Sequence, residues 1–179
     1  MEGCCSKKNM ENRDSPLPAT IFHLEMCERG DFLPSKPPSG FGVKEVKPPD
    51  PARNRELYRA VGAHWEWTDK LDWSEDDWRK YVCRKEMNTY LGHLDGREIG
   101  YFELESQDGG NVDISYFGLF PEQIGKGLGG ALLSAAVEIA WDFPGAKRVW
   151  VHTCTDDHEH ALANYLKRGF KVFRTEELS

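Results

Sequence analysis

Between Pro121 and Leu133 the chain reads Pro-Glu-Gln-Ile-Gly-Lys-Gly-Leu-Gly-Gly-Ala-Leu-Leu, with Gly125, Gly127, Gly129 and Gly130 close together. An apolar, aromatic run, Ile114–Phe120, comes before it and has the length and β-favouring residues of a buried strand. After it Leu128, Leu132, Ala135, Val137 and Ile139 to Trp141 recur at near-helical spacing, so the glycines fall between a strand and the first turn of a helix. The first amides of a helix have no partner within it, and the aligned peptide dipoles leave partial positive charge there. Glycines without a Cβ let an anion such as a pyrophosphate approach that backbone, and Lys126 adds a full charge. The plainer alternative is a tight strand-to-helix turn. Glycine is a poor helix former, and four of them where a helix begins weigh against that alternative.

Two familiar phosphate loops do not fit. A P-loop requires Gly-Lys-Ser/Thr, whereas Gly130 is followed by Ala131 and Leu132. The spacing of Gly125, Gly127 and Gly130 matches Gly-x-Gly-x-x-Gly, but no acidic residue stands about 20 residues on, between Pro144 and Val149. The run Gln123-Ile124-Gly125-Lys126-Gly127-Leu128-Gly129 instead resembles the acetyl-CoA loop of the GNAT superfamily of N-acetyltransferases, Arg/Gln-x-x-Gly-x-Gly/Ala, with Ile124 where the family has Arg or Gln. Near the C-terminus Ala161-Leu162-Ala163-Asn164-Tyr165-Leu166-Lys167-Arg168-Gly169-Phe170 is similar to the family's closing Ala-x-x-Leu-Tyr-x-x-x-Gly-Phe. The resemblance covers roughly residues 99–175. It implies acetyl-CoA as co-substrate, held by Gly125, Lys126, Gly127, Leu128, Gly129 and Gly130, with Tyr165 as general acid. His158 falls where many members carry a cofactor-contacting Asn.

The 179 residues suffice for one domain, and 39% hydrophobic with 12% aromatic content argues for a globular chain. Residues 1–18 read as neither signal peptide nor membrane helix and are expected to form a disordered tail, with the acetyltransferase-like domain over 19–179. A net charge of −7, without a basic aromatic patch, disfavours nucleic acid, and no apolar run suits a membrane. Five cysteines without a Cys-x-x-Cys pair fit a reducing cytoplasm better than a disulfide framework.

Thr20–Met26 reads as a first strand, and the Pro- and Gly-rich stretch from Glu28 to Asp50 as a long loop with a short extended piece around Phe41 to Val46. Pro51–His64 is a helix candidate with Leu57, Tyr58, Val61 and His64 on one face. Ser74–Lys85 is another, opened by a capping box of Ser74 and Asp77, with Trp78, Tyr81 and Val82 inward. Between them His64-Trp65-Glu66-Trp67-Thr68-Asp69 combines tryptophans with carboxylates, which favours a cationic ligand. In the family this segment borders the acceptor pocket, so Trp65, Trp67 and Asp69 are the expected acceptor residues. The alternative is that the tryptophans are core and the acids solvate a surface.

Asn88–Leu94 and Glu98–Glu105 read as strands joined at Asp95-Gly96, and Asn111–Phe120 as the strand that enters the glycine loop. Gly118 predicts a bulge or a close backbone approach there. By the resemblance, backbone groups of Phe117 and Leu119 hold the pantetheine arm. Alternation puts Asp113, Ser115, Phe117 and Leu119 on one face, and Asp113 is the expected general base, with Glu103 in reserve. An aspartate of ordinary pKa, about 3.9, must be desolvated or act through water to serve as one. His152-Thr153-Cys154-Thr155-Asp156-Asp157-His158-Glu159-His160 follows or ends a strand over Lys147–Thr153. Its rival readings are a zinc site or a His152–Cys154 thiolate pair; more simply, Asp156 or Asp157 caps a helix over His158–Arg168.

The expectation is a GNAT-like α/β fold (α+β type): a mixed, strongly twisted sheet of six to seven strands flanked by about four helices. The function implied by the resemblance is acetyl transfer from acetyl-CoA to a primary amine on a small cationic acceptor, without a metal. Rival readings are a CoA-binding module without catalysis and an acetyltransferase of protein or peptide amines. Members of the family are often dimers, which allows a homodimer here.

Overall fold

The computed structural model describes residues 19–63, 65 and 67–177. The expected tail, His64 and Glu66 therefore lie outside the described residues. Seven strands form one sheet in the order β2-β3-β4-β5-β6-β1-β7. They are β1 (Thr20–Met26), β2 (Phe41–Glu45), β3 (Met87–Leu94), β4 (Arg97–Gln107), β5 (Asn111–Leu119), β6 (Arg148–Cys154) and β7 (Lys171–Glu177). The helices are α1 (Pro51–Gly62), α2 (Glu75–Val82), α3 (Gly129–Trp141) and α4 (Ala161–Lys167). All neighbouring strands are antiparallel except β5 and β6, which are parallel and are joined through α3, as a parallel pair requires. Among the described residues no helix is long and apolar enough to cross a membrane.

Local chemistry sets the element ends. Asp50 Oδ1 accepts from the Arg53 amide at 3.0 Å, with Pro51 opening α1. The Ser74–Asp77 capping box forms in both directions at α2. Asp95 and Gly96, both at positive φ, close the β3–β4 hairpin. The long loop after β1 is tied down rather than free: the Leu33 amide donates to Arg168 O and the Ser35 amide to Ser134 Oγ, so it lies across α3 and the end of α4.

The register of β5 decides where the site lies. Glu103 pairs with Tyr116 and Leu104 with Ile114, which leaves Ser115 as the extra residue of a bulge. The bulge is thus at Ser115, not at Gly118. Its effect is to reverse the alternation of side chains. Val112 and Ile114 point into the core beneath α3, and after the bulge Phe117 and Leu119 take up that same face. Tyr116 joins Tyr101, Leu57, Tyr58, Val61, Trp67, Trp78 and Val82 in the second core beneath α1 and α2. Asp113, out of step with Val112 and Ile114, is on the α1/α2 face, opposite Phe117 and Leu119 rather than beside them.

Gly118 meets the other half of its expectation, a close approach. A Cβ there would stand 2.3 Å from Val61 Cγ1, and one on neighbouring Gly100 would stand 2.3 Å from Gly118 O. Val61 is fully buried and β-branched, so it cannot swing aside. Gly118→Ala is expected to cost about 1–3 kcal/mol of unfolding free energy by overpacking, read as a lower urea midpoint at unchanged slope.

Candidate active site

The glycine loop leaves β5 through a single 3-10 turn, Pro121–Gln123, and enters α3 at Gly129. Gly125 and Gly127 have φ of 79° and 75°, a region open to glycine at little cost, and no atom lies within 4 Å of where their Cβ would be. No side chain caps the N-terminus of α3, and its first turn holds no acid. Asn164 from α4 donates to Gly129 O at 3.2 Å and fixes the position of that turn. The result is a helix N-terminus with an open approach for an anion. Lys126 is exposed and turned toward Gln123 Oε1 at 3.3 Å, so its ammonium does not join the cavity wall.

A cavity of about 550 Å³ begins at this turn, bordered by Gly125, Gly127, Leu128, Gly129 and Gly130. Its course follows from the sheet. β5 and β6 pair only at Asn111–Arg148, Val112–Val149 and Asp113–Trp150, and they part beyond that point. Ile114, Ser115, Tyr116 and Phe117 wall one side of the opening, and Val151 and His152 the other. Tyr165 from α4, 5% exposed, lines the α3 side with its ring edge-on to Phe117 at 6.2 Å. At the far end Trp65 meets the His158 ring at 5.2 Å, and Trp67 stacks edge-on to Tyr116 at 5.0 Å. The gap between the two strands therefore joins the helix N-terminus to an aromatic chamber.

Asp113, Ser115 and Glu103 are the first polar groups to place. Asp113 sits at the last pair before the strands separate, so its side chain does not line the cavity. One carboxylate oxygen is buried without a partner, and the other accepts from Ser115 Oγ at 3.0 Å. Burial pushes its pKa up to about 7, with the Ser115 hydrogen bond and Arg148 pulling down and Glu105 pushing up. Ser115 does line the cavity and is the link between Asp113 and that space. Glu103, the reserve candidate, is 1% exposed and accepts from Asn54 Nδ2 at 2.7 Å and Tyr81 Oη at 2.6 Å; it too is outside the cavity wall.

Asp69 is already occupied. It accepts from Tyr58 Oη at 2.7 Å, Tyr116 Oη at 2.8 Å and Lys70 Nζ at 2.8 Å. Burial pushes its carboxyl up, but the Lys70 ammonium and these hydrogen bonds outweigh it and hold it below the usual value. Lys70 in turn lies over the rings of Trp73, Tyr81 and Tyr116, at 4.7, 5.0 and 4.4 Å. The cation that tryptophan and carboxylate seemed to await from outside is thus supplied by the next residue in the chain. Trp65 and Trp67 line the cavity; Asp69 does not.

The His152–His160 stretch also departs from expectation. Asp157 accepts from Thr153 Oγ1 at 2.6 Å and the Cys154 amide at 3.0 Å, closing the turn after β6 instead of capping a helix. α4 consequently starts at Ala161, three residues later than expected, without a side-chain cap. Cys154 is disulfide-bonded, contrary to the expectation of reduced cysteines, and is not available as a thiolate beside His152. Among the described residues no three His, Cys, Asp or Glu side chains are grouped to hold a metal ion. His152 itself lines the cavity with both ring nitrogens buried and unpartnered. The sequence offered His152 only as a partner for Cys154 and Ser115 only as a neighbour of Asp113; their place on the cavity wall comes from the bulge and from the divergence of β5 from β6.

A family model described as the acetyltransferase (GNAT) family matches residues 52–170, from the start of α1 to the end of α4 and just beyond. The chain belongs to the GNAT acetyltransferase family. An uncharacterized N-acetyltransferase of Mycobacterium tuberculosis is 36% identical over 93 residues, 52% of this chain and 58% of that protein. The chain thus matches little more than half the length of this curated relative. Among solved structures, a GCN5-related N-acetyltransferase from Kribbella flavida superposes with a TM-score of 0.64 at 19% identity, over 89% of this chain and 58% of that one. An aminoglycoside acetyltransferase from an uncultured soil metagenomic sample gives 0.58 at 16% identity, over 72% and 87%. Both likenesses are of fold.

Proposed function

We propose that this GNAT chain transfers an acetyl group from acetyl-CoA to a primary amine. The observation that carries this reading is the uncapped N-terminus of α3, which opens into the same cavity that passes between β5 and β6 to the chamber of Trp65, Trp67 and His158. The amides of the first turn bind the pyrophosphate, with Gly125 and Gly127 leaving the approach open, while Gly130 packs closely against Arg168 and Ser35. The edge of β5 at Phe117 and Leu119, which β6 leaves unpaired, offers its backbone to the pantetheine arm and polarises the thioester carbonyl. The amine nitrogen bonds to the carbonyl carbon and gives up a proton, the carbon–sulfur bond breaks, and Tyr165 protonates the departing thiolate.

The acceptor's chamber is aromatic, and two acids at or near it are engaged from within: Asp157, on the cavity wall, by the Thr153 hydroxyl and the Cys154 amide, and Asp69, behind it, by Lys70. That favours an amine with one charge beside an apolar body over a polycation.

The test is thiol release and amide formation from acetyl-CoA with 2-phenylethylamine, tryptamine, spermidine and a lysine-containing peptide. Turnover of at least one, with the arylalkylamines ahead of spermidine, is expected. Stabilisation by acetyl-CoA without amide from any of the four would leave a CoA-binding module instead.

A further inference from the structure

We propose that His152 is the general base that takes the proton from the acceptor amine. The proposal rests on the acetyl-transfer reading and adds a residue to it. His152 stands two positions past Trp150, the last residue of β6 paired with β5, where the strands have already parted. It shares a cavity wall with Ser115 and Tyr116 across the gap and with Trp65 and Trp67 at the aromatic end. The ring thus borders the gap in which the thioester would lie.

The bonding of the ring is the second observation. Both Nδ1 and Nε2 are buried and neither has a hydrogen-bond partner. A neutral imidazole has one donor and one acceptor, and burying them unmade is costly, so buried polar groups in native proteins almost always have partners. In this proposal the acceptor nitrogen is the partner of one of the two. The other protonatable groups nearby are committed or set back. Asp157 is held by Thr153 and the Cys154 amide, His158 Nδ1 accepts from the His160 amide, His160 and Lys167 border the cavity from exposed positions, the former beside Glu159, and Asp113 reaches the cavity only through Ser115.

The surroundings keep the ring neutral. Burial pushes its pKa below the ordinary 6.5, and His23 of β1, whose ring lies 6.1 Å away, pushes the same way. The carboxylates of Asp157 and Asp69 pull it up, and the Lys70 ammonium pushes it down. At neutral pH His152 therefore holds a lone pair ready to accept. When the amine adds to the thioester, its nitrogen bears a positive charge and becomes strongly acidic. The N–H bond breaks to His152, the electron pair stays on nitrogen, the C–S bond then breaks, and Tyr165 gives its proton to sulfur. Before the next turnover the imidazolium gives its proton to water and the Tyr165 phenolate takes one back from water, so that no net proton is gained or lost.

Asp113 and His152 predict different pH profiles, which makes the choice testable. kcat would be measured from pH 5 to 8.5 with acetyl-CoA and the best of the four amines above, for wild type, His152→Gln, His152→Asn and Asp113→Asn. The wild type should lose activity on the acid side with an apparent pKa below 6.5. Either His152 variant should lower kcat about a hundredfold, abolish that limb and leave stabilisation by acetyl-CoA unchanged. Asp113→Asn should keep the limb. A limb near 7 that disappears in Asp113→Asn would transfer the role to Asp113. His152 variants with kcat within threefold of wild type overturn the proposal while leaving the acetyltransferase reading intact. Wild type inactive with all four amines defeats both.

Discussion

Gly129→Glu is expected to leave the fold intact and to abolish stabilisation by acetyl-CoA. Gly129 opens α3 and borders the cavity, and a Cβ there would meet only Asn164 Nδ2 at 3.6 Å and Leu119 Cδ1 at 3.9 Å, ordinary contact distances. Its backbone is not in the left-handed region, unlike that of Gly125 and Gly127, so a side chain strains nothing. A carboxylate in a first helical turn interacts favourably with the amides by roughly 0.3–1 kcal/mol, and replacing glycine in a helix adds up to about 1 kcal/mol. The free variant should melt at or above the wild-type temperature. The same carboxylate occupies the place and matches the charge of the incoming phosphates. Acetyl-CoA at a hundred times its dissociation constant should stabilise the wild type by about 2.7 kcal/mol, a rise of several degrees, and should shift Gly129→Glu negligibly. Gly129→Ala, which adds bulk without charge, should keep most of the shift. A variant that folds and is stabilised like wild type would show that the phosphates bind elsewhere.

The elements that rest on local pattern were legible from the residues alone. β1 spans Thr20–Met26 as its apolar run predicts, α2 opens on the Ser74–Asp77 box, and α3 starts within the glycine run, at Gly129. The loop and Tyr165, which approach one cavity from α3 and α4, were visible as two motifs in the chain. What escaped depends on register between distant strands. One unpaired residue at Ser115 moves Asp113 to the opposite face from Phe117, and no feature of Asp-Ile-Ser-Tyr-Phe announces the insertion. His152 becomes part of the site only because β6 stops pairing at Trp150. The tryptophan-rich segment misled for a different reason. Its composition does favour a cation, but composition does not say whether the cation is a ligand or Lys70.

That internal cation gives the second large expected effect. Lys70→Met should lower the unfolding free energy by about 3 kcal/mol at pH 7, since removing one partner of a buried pair strands the other. Lys70 is 7% exposed, and its ammonium contacts both Asp69 and the Tyr116 hydroxyl. Methionine keeps the length and the apolar contact with the three rings, which isolates the charge. In the wild type the Asp69 carboxyl is held below 3.8, so its contribution is complete above that value and is lost only as pH falls through the lower folded one. Without Lys70, burial dominates and raises the carboxyl above its unfolded value. The variant then gains relative stability as pH falls from 7 and Asp69 takes up a proton. Urea unfolding at pH 7 and pH 4.5 should show the gap between the two proteins narrowing at the lower pH. Asp69→Asn combined with Lys70→Met should recover much of the loss at pH 7, because no buried charge is left unmatched. A gap below 1 kcal/mol, or one that does not change with pH, would mean that water already serves this carboxylate. It would also reopen Asp69 to an amine from outside, since the same ion pair holds Tyr116 against the cavity and keeps the acid from its ligand.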